Sequence, residues 1–288
     1  MPFSVFIQLF IGGILQGGVY ALAAFGLSLI FGVSNILNLA HGEFLMLGAL
    51  AAYLIYSFME INPFLISIIL IPLFFVLGCL FERGLIRRLL DRLPHEQVQT
   101  SILVTLGASL AISDITAFLW GPEEKGISYF LPSIQIGDVF ISSVRLFGLG
   151  FIIVVALVLH FYLQKTFMGK SIRAVTQNRK GATLVGINTY RISTITFGIG
   201  SVLASMAGIF YVVLFTVSPN IGIPLTIKYL CVIVLGGLGS LYGTLVGGII
   251  LGLTEVFTSY CISPHWGETS AFLLLVGILL IRPKGLFG

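Results

Sequence analysis

Residues 9–58 of the chain read LFIGGILQGGVYALAAFGLSLIFGVSNILNLAHGEFLMLGALAAYLIYSF. Two apolar runs, at about 5–32 and 44–58, flank a short polar interruption that carries Asn, His and Glu side chains. A helix needs about 20 apolar residues to cross the hydrocarbon core of a bilayer, and the first run exceeds that length. The stretch therefore predicts two membrane-spanning helices with a break between them.

The same alternation of apolar runs and polar breaks continues through all 288 residues. Hydrophobic residues make up 57% of the chain and charged residues 9%, against about 25% charged in an average soluble domain. This composition excludes a soluble enzyme, a nucleic-acid-binding domain, a secreted disulfide scaffold and a disordered chain. We predict an all-α polytopic membrane protein, one transmembrane domain over 1–288 with about 8–9 helices, some of them broken. The predicted spans are 5–32, 44–58, 63–81, 98–120, 146–163, 193–215, 225–236, 243–260 and 268–281.

The N-terminus and the cysteines exclude further kinds of protein and further kinds of site. No Lys or Arg precedes Arg83, so the first apolar run lacks the basic leader of a signal peptide and is expected to be a retained span. Cys79, Cys231 and Cys261 form no CxxC pair and no Cys/His cluster. We therefore expect neither a disulfide nor a metal site.

Basic residues concentrate in three stretches, 82–97, 164–192 and 282–288, which together hold 12 of the 15 Lys and Arg residues. The 121–145 loop, by contrast, carries three acidic and two basic residues. Loops rich in Lys and Arg stay on the cytoplasmic side of the membrane, so the three basic stretches are predicted to face the cytoplasm. Alternation of spans then places outside the segments 59–63, 121–145, 216–224 and 258–267.

The polar interruption SNILNLAHGEF, at 34–44, is the first candidate for a functional site. An ionisable side chain at membrane depth is costly unless it faces protein or water, and broken backbone there is tolerated only inside protein or along a cavity. The alternative is a plain cytoplasmic turn whose polar side chains are simply in water. The candidate substrate-path residues in this segment are Asn38, His41, Gly42 and Glu43.

A second Gly-rich break, VLGGLGSLYGTLVGG at 234–248, shows the same order as 38–52, a break followed by a helix of small residues. Paired interruptions in two halves of a membrane protein indicate a transport pathway. We therefore predict two related halves. The second break adds to the candidate path Gly236, Gly237, Gly239 and Ser240.

The basic stretch 166–193 carries a mildly amphipathic helical pattern and no acidic residue. Its MGKS sequence, 168–171, resembles part of a phosphate-binding loop, but position 164 is Gln where that motif needs Gly, and no strand precedes it. Nucleotide binding is therefore excluded here. Two interpretations stay open, a membrane-surface helix held by anionic lipid and a docking helix for a cytoplasmic partner.

Four further ionisable residues lie singly in or near predicted spans. Lys228, close to Pro224, is expected to extend its ammonium group to the outer membrane surface. Glu255 lies deeper in its span and is a stronger functional candidate. The remaining two are Asp114 and His160.

Three collinear motifs connect the chain to a known family. They are NLAHGEFLMLGA at 38–49, GKSIRAVTQNRKGATLVGIN at 169–188 and VIVLGGLGSLYGTLVGGIILG at 232–252. Together they resemble the membrane permease of ABC importers for branched-chain amino acids, of the LivH/LivM type and closer to LivH. The resemblance covers nearly the whole chain.

This resemblance implies a transport subunit and no enzyme. Such a permease sits in the cytoplasmic (inner) membrane of a bacterium or archaeon and moves leucine, isoleucine and valine inward. Its partners are a homologous LivM-like permease subunit, two cytoplasmic ATPases and a periplasmic amino-acid-binding protein. No cofactor is expected on this chain, since ATP binds to the partner subunits.

The resemblance also assigns a cytoplasmic coupling segment at about 166–192. ATPase-docking loops of ABC importers often read EAAxxxG, and this chain has Lys180, Gly181 and Ala182 at the first three positions and Gly186 at the glycine. The acidic residue is absent. Arg173, Arg179 and Lys180 supply charge of the opposite sign.

Two alternatives to branched-chain amino acid import remain open from the residues. The same architecture would serve urea, short amides or simple sugars, because much of the selection lies with the binding protein. In a different class, a stand-alone secondary transporter or channel would use Glu43, Asp114 or Glu255 as its ion site.

The charge distribution yields a test of the predicted orientation. In a cysteine-free background, Lys180→Cys should react with a membrane-impermeant maleimide only after the membrane is opened, because the basic stretch lies inside. Gly126→Cys, in the 121–145 loop, should react in intact cells. Labelling of the Lys180→Cys protein in intact cells would reverse the assigned topology.

Overall fold

The structure is a computed structural model that describes residues 3–91, 94–129, 132–136, 139–282 and 285–287. Within these ranges the chain is helical apart from loops and one antiparallel hairpin, β1 (Ile134–Ile136) and β2 (Val139–Ile141). The helices are α1 (Phe3–Ser34), α2 (His41–Met59), α3 (Ile66–Phe81), α4 (Pro94–Trp120), α5 (Ser143–Lys165), α6 (Phe167–Gln177), α7 (Arg179–Leu184), α8 (Thr189–Leu214), α9 (Gly222–Gly236), α10 (Leu241–Cys261) and α11 (Pro264–Ile281).

Every predicted span corresponds to a helix, which confirms an all-α polytopic membrane protein. Eight helices of the described chain are long and apolar enough to cross a membrane, and α9 is a shorter apolar helix. The third span differs from the prediction, because it continues beyond Phe81 through a π-helical turn, Glu82–Ile86, and a 3-10 turn, Arg87–Leu89. Part of the basic stretch 82–97 is therefore an extension of α3.

Helix α1 is the central element of the bundle and is buried along most of its length from Gly13 to Ser34. Its glycines allow α10 to approach closely, since a Cβ atom built on Gly17 would lie 2.5 Å from the carbonyl oxygen of Gly248. Gly13 and Gly252 complete this crossing. The small residues spaced four apart in both helices thus serve packing within the chain, as their sequence pattern indicates.

Helix α8 is the second central element and packs against α1, α2 and α3. Small residues again determine the contacts, because Gly48 of α2 faces Ser205 and Gly78 of α3 faces Ser201. The side chains buried between these helices, among them Leu45, belong to the main apolar core.

One end of the bundle gathers the basic segments. Asp91 accepts a hydrogen bond from the hydroxyl of Tyr190 at the start of α8. The amide of Leu286 donates to the carbonyl of Leu235 at the end of α9. The described basic side chains of the three stretches therefore share one end, as the orientation rule requires, while Arg92 and Lys284 lie outside the described residues.

The crossing of α1 and α10 predicts a sharp difference between two glycines. Gly248→Val should lower stability by about 1–3 kcal/mol or more, because the added side chain meets the backbone of α1. Gly150→Val is the control, since nothing lies within 4 Å of a Cβ atom built there. The thermal stability of each detergent-solubilised protein measures the effect, and equal stabilities would contradict a backbone contact at Gly248.

Candidate functional site

The polar interruption between α1 and α2 turns back into the protein interior. Helix α1 ends at Ser34, Asn35 adopts a left-handed conformation with φ of 52°, and α2 begins at His41. The side chains of Asn38, His41 and Glu43 are 0%, 0% and 1% exposed. These three residues are therefore not solvent-exposed, and the alternative interpretation of a cytoplasmic turn in water is wrong for them.

The beginning of α2 lies level with the middle of α8. The Nε2 atom of His41 lies 2.9 Å from the carbonyl oxygen of Ala23 in α1. A Cβ atom built on Gly26 would lie 3.0 Å from Cε1 of His41 and 2.5 Å from the carbonyl oxygen of Gly200, near the middle of the 26-residue α8. Because α8 has the length of a full span, the interruption reaches membrane depth.

The N-termini of α2 and α9 meet at this depth. The amide of Gly42 donates to Oγ1 of Thr226 over 2.7 Å, and that hydroxyl donates to the carbonyl of Gly222 over 2.9 Å. Gly42 has no room for a side chain, since a Cβ atom there would lie 2.5 Å from Oγ1 of Thr226. Two helix N-termini carry partial positive charge, so their convergence favours an anionic group.

Glu43 places its carboxyl group at this point, from the first turn of α2. Its Oε1 atom accepts a hydrogen bond of 2.7 Å from Ser109 in α4. The carboxylate also packs against Gly222, the first residue of α9, where any Cβ atom would overlap it. Glu43 thus joins α2, α4 and α9 at one point.

Helix α4 turns a polar face towards the interruption, and this feature escaped the sequence analysis. Gln97 Nε2 donates to the carbonyl of Ser34 over 2.6 Å. Thr105 Oγ1 accepts from the amide of Leu39 over 3.0 Å and lies 3.2 Å from the carbonyl of Leu37. In the sequence, this polar face is indicated by hydroxyl side chains that recur every four residues in an apolar helix. The buried polar residues of α4 are Gln97, Ser101, Thr105, Ser109 and Thr116.

Three buried polar atoms of the interruption have no hydrogen-bond partner in the part of the chain that the structure describes. They are Nδ2 of Asn38, Nδ1 of His41 and Oε2 of Glu43. Buried polar groups are rarely left unpaired, and exceptions mark sites of ligands, water or rearrangement. The interruption therefore retains hydrogen-bonding capacity for a polar molecule.

The second predicted part of the path, at Gly236–Ser240, lies elsewhere. It is a tight turn between α9 and α10, with φ of 103° at Gly237 and 84° at Gly239, and Gly239 is exposed. Ser240 caps α10 by accepting from the amide of Gly243 over 3.1 Å. The glycines serve the close approach of two helices at the end of the bundle, as Gly236 contacts Gly243.

The second break does not lie beside His41 of the first break. Gly239 approaches α1 at Gly32, nine residues and about 14 Å along the helix axis from Ala23, the partner of His41. The segment before α9 does lie beside the first interruption, since the carboxyl group of Glu43 packs against Gly222. Ser113 of α4 also donates to the carbonyl of Pro219 in that segment, over 2.9 Å. The structure thus pairs the breaks that follow α1 and α8.

Lys228 is buried in an ion-pair cluster, and the expectation that it reaches the membrane surface is wrong. Its Nζ atom lies 2.9 Å from Oε1 of Glu255 and 3.0 Å from Oε1 of Glu268. The other oxygen of Glu255 accepts from Tyr20 over 2.8 Å and from Gln16 over 3.1 Å. The partners lie 27 and 40 residues away along the chain, so no local pattern could reveal them.

The predicted coupling segment forms two helices, because Asn178 ends α6 and caps α7 by accepting from the amide of Gly181 over 2.9 Å. Arg173 of α6 donates to Gln164 over 3.1 Å, and Arg179 and Lys180 begin α7. Ala182 is buried and Gly186 adopts φ of 85°. At the end of α7, the apolar side chains of Leu184 and Val185 are 89% and 76% exposed.

The ion-pair cluster predicts unequal effects for its members. Lys228→Met should lower stability by about 3–5 kcal/mol, because it leaves the buried carboxylate of Glu255 unpaired. Glu268→Gln should cost about 1 kcal/mol or less, since that side chain is 70% exposed. Thermal unfolding of the solubilised variants measures both, and a neutral Lys228→Met variant would contradict the buried ion pair.

Comparison with known proteins identifies the family. Residues 9–282 match the family model described as branched-chain amino acid transport system / permease component. The high-affinity branched-chain amino acid transport system permease protein LivH of Salmonella typhimurium is 28% identical over 99% of this chain and 96% of its own length. The corresponding permease protein BraD of Pseudomonas aeruginosa is 27% identical over 98% and 96%.

A solved structure supports the fold alone. PsaBC from Streptococcus pneumoniae, in complex with Fab, aligns with a TM-score of 0.51 and 11% identity, over 95% of this chain and 91% of that one. The helical fold is therefore shared with a solved structure despite little sequence identity. The family match over residues 9–282 and the eight apolar helices of the described chain show that it is a multi-pass membrane protein that belongs to the permease family of branched-chain amino acid transport systems.

Proposed function

We propose that this chain is the membrane permease subunit of an ABC importer that carries leucine, isoleucine and valine into the cytoplasm. The relatives that it matches over nearly their whole length are named as permeases for these substrates. The observation that carries the proposal is the convergence of two helix N-termini and Glu43 inside an otherwise apolar bundle. Such half-helix termini at membrane depth form the binding sites of transporters for charged small molecules.

The chemistry of the site fits an amino-acid zwitterion. The carboxylate of the substrate needs donors, and Nδ2 of Asn38 is an unpaired buried donor beside the positively polarised N-termini of α2 and α9. The ammonium group needs acceptors, and Oε2 of Glu43 is an unpaired buried acceptor. A site with one charged side chain binds weakly enough to release its substrate inward. The proposed path residues are accordingly Asn38, His41, Gly42 and Glu43.

The described conformation is closed at this point, since Glu43 is 1% exposed. Helix α4 is the element best suited to open the path, because hydroxyl hydrogen bonds attach it to the interruption. Water can replace such hydrogen bonds at small cost, whereas separating apolar surfaces exposes them. We infer that α4 moves away from α2 and α9 when substrate passes.

Energy for this movement comes from partner ATPases in the proposed mechanism. The MGKS segment is helical and does not form a phosphate-binding loop, since Gly169 lies inside α6, packed against Leu163. The exposed apolar end of α7, Leu184 and Val185, suits insertion into a groove of a soluble partner. ATP then acts on those subunits, and this chain carries no cofactor.

A short connection, residues 185–188, links the proposed ATPase contact to the helix beside the site. Helix α8 begins within a few residues of α7, with Asn188 capping it through a 3.0 Å bond from the amide of Arg191. The same helix passes His41 at Gly200. A displacement of α7 therefore shifts α8 beside the closed site. The coupling set would be Arg173, Arg179, Lys180, Gly181, Ala182 and Gly186.

The remaining partners follow from this role. A LivM-like permease subunit would complete the pathway, and a periplasmic binding protein would deliver substrate at the end of the bundle that carries the 121–145 loop. The location would be the cytoplasmic (inner) membrane. Asp114, exposed on α4, and Glu255, paired with Lys228, belong to the alternative in which the chain is a secondary transporter.

Reconstitution separates these two classes. Proteoliposomes containing the chain with its partner permease and ATPases should accumulate radiolabelled leucine only with ATP and binding protein, and an uncoupler should leave the rate unchanged. Uptake by the chain without ATPases that collapses on addition of the uncoupler would establish a secondary transporter. Leucine uptake measured in the presence of excess urea, acetamide or ribose then reports the substrate class, because a transported solute competes with leucine.

The role of Glu43 predicts a specific loss. Glu43→Gln keeps the shape of the side chain but removes its charge, so leucine uptake should fall at least tenfold while the complex assembles normally. Glu60→Gln is the matched control, because Glu60 is exposed at the C-terminal end of α2. Uptake by the Glu43→Gln importer at the rate of the control would remove Glu43 from the path.

The exposed end of α7 predicts a coupling defect. Leu184→Asp should reduce copurification of the ATPases several-fold and abolish the stimulation of ATP hydrolysis by the binding protein, because a charge enters an apolar contact. Thr183→Asp places the same charge on the neighbouring exposed residue and is the control. Unchanged ATPase recovery with Leu184→Asp would indicate that α7 lies on lipid.

A further inference from the structure

An apolar groove of about 610 Å³ lies beside α1 at the end of the bundle that carries the basic segments. Helices α5, α6 and the start of α10 form its walls, and Phe25 and Leu29 of α1 form its floor. Its rim is open, since Ile153 and Leu157 of α5 are 49% and 51% exposed. The groove therefore faces the surroundings of the bundle and is separate from the interruption at Glu43.

The groove has one apolar and one polar end. Ile152 of α5 lines the deep end, and Gln164, Arg173 and Gln177 line the end near α6. From Ile152 to Gln164 the helix rises about 18 Å, slightly more than half of the ~30 Å hydrocarbon core. A ligand that fills the groove would thus span one leaflet, with its polar part at the membrane surface.

The charge at the polar end selects an anion. Residues 164–192 carry six basic side chains and no acidic one. Arg173 lines the groove, and its Nη1 atom donates to Oε1 of Gln164 over 3.1 Å, which holds the guanidinium at the mouth. A guanidinium offers paired donors that match the oxygens of a phosphate group. Basic pockets between helices at the cytoplasmic surface bind anionic lipid headgroups.

A second apolar groove on the other side of α5 provides a contrast. It has a volume of about 670 Å³ and is lined by α3, α5 and α8, among others by Val158 and Phe75. No charged side chain of the described chain lines it. Size and apolar character are therefore common to both grooves, whereas a cation at the mouth distinguishes the first.

We propose that the groove beside Arg173 binds one anionic phospholipid of the inner leaflet, with an acyl chain along α5 and its phosphate on Arg173. The lipid fills the space between α5, α6 and the turn before α10. It would hold α6, and with it the start of the coupling segment, against the transmembrane bundle. The inference rests on the groove and its charge, independently of the transported substrate.

Two charge variants of α6 test the headgroup contact. In native mass spectrometry of the purified complex, dioleoylphosphatidylglycerol should bind the unchanged protein about tenfold more tightly than dioleoylphosphatidylcholine. Arg173→Ala should abolish this preference. Lys170→Ala removes the same charge from an exposed position that does not line the groove, and the preference should persist. Equal losses in both variants, or no preference in the unchanged protein, would overturn the proposal.

Two bulky variants of α5 test the acyl-chain contact. Ala156→Trp fills the first groove and should prevent retention of phosphatidylglycerol, whereas Val158→Trp fills the second groove and should leave it unchanged. Inorganic phosphate at millimolar concentration should not displace the lipid, because the acyl chain contributes to binding. Displacement by phosphate would show that the site binds small anions without an acyl chain, which would overturn the lipid proposal. A crosslink from Ala156→Cys to the partner permease subunit would show that a protein helix covers the groove.

Discussion

Backbone that leaves a helix inside a bilayer must find hydrogen-bond partners within the protein, and residues 35–40 are where this constraint acts. The amide of Gln97 in α4 donates to the carbonyl of Ser34, which the end of α1 leaves open, and the hydroxyl of Thr105 accepts from the amide of Leu39 in the interruption. The hydroxyl of Thr226 does the same for the first turn of α2. The helices around the interruption therefore carry Ser, Thr and Gln on their inward faces, which creates a polar site in an apolar bundle.

Close backbone contacts make the rest of the bundle a rigid frame for this site. Helices α1 and α8 pass their neighbours at glycine and serine residues, so their positions are determined by van der Waals contact along most of their length. The cluster of Lys228 with Glu255 and Glu268 connects α9, α10 and α11 near the other end. Helix α4, attached mainly through hydroxyl groups, contrasts with these fixed elements and is suited to move.

The coupling segment lies where this frame meets the membrane surface. The end of α7 exposes apolar side chains, whereas α6 turns Ile172 and Val175 inward and Arg173 to an open groove. The sequence supported two interpretations of this stretch, lipid surface and protein docking, and we propose the first for α6 and the second for α7. The division occurs at Asn178, whose side chain caps α7.

The sequence by itself determined the all-α membrane class, the nine apolar segments and the interruption at 34–44, because segment length and polarity are local properties of the chain. The tertiary structure alone decided which groups meet. Glu43 reaches Ser109 and Gly222, and Lys228 reaches Glu255, through contacts between distant segments. The glycines of Gly236–Ser240 resembled a second membrane break, and they form a tight turn between α9 and α10. Glycine allows both a broken helix and a close helix crossing, and only the surrounding helices determine which one occurs.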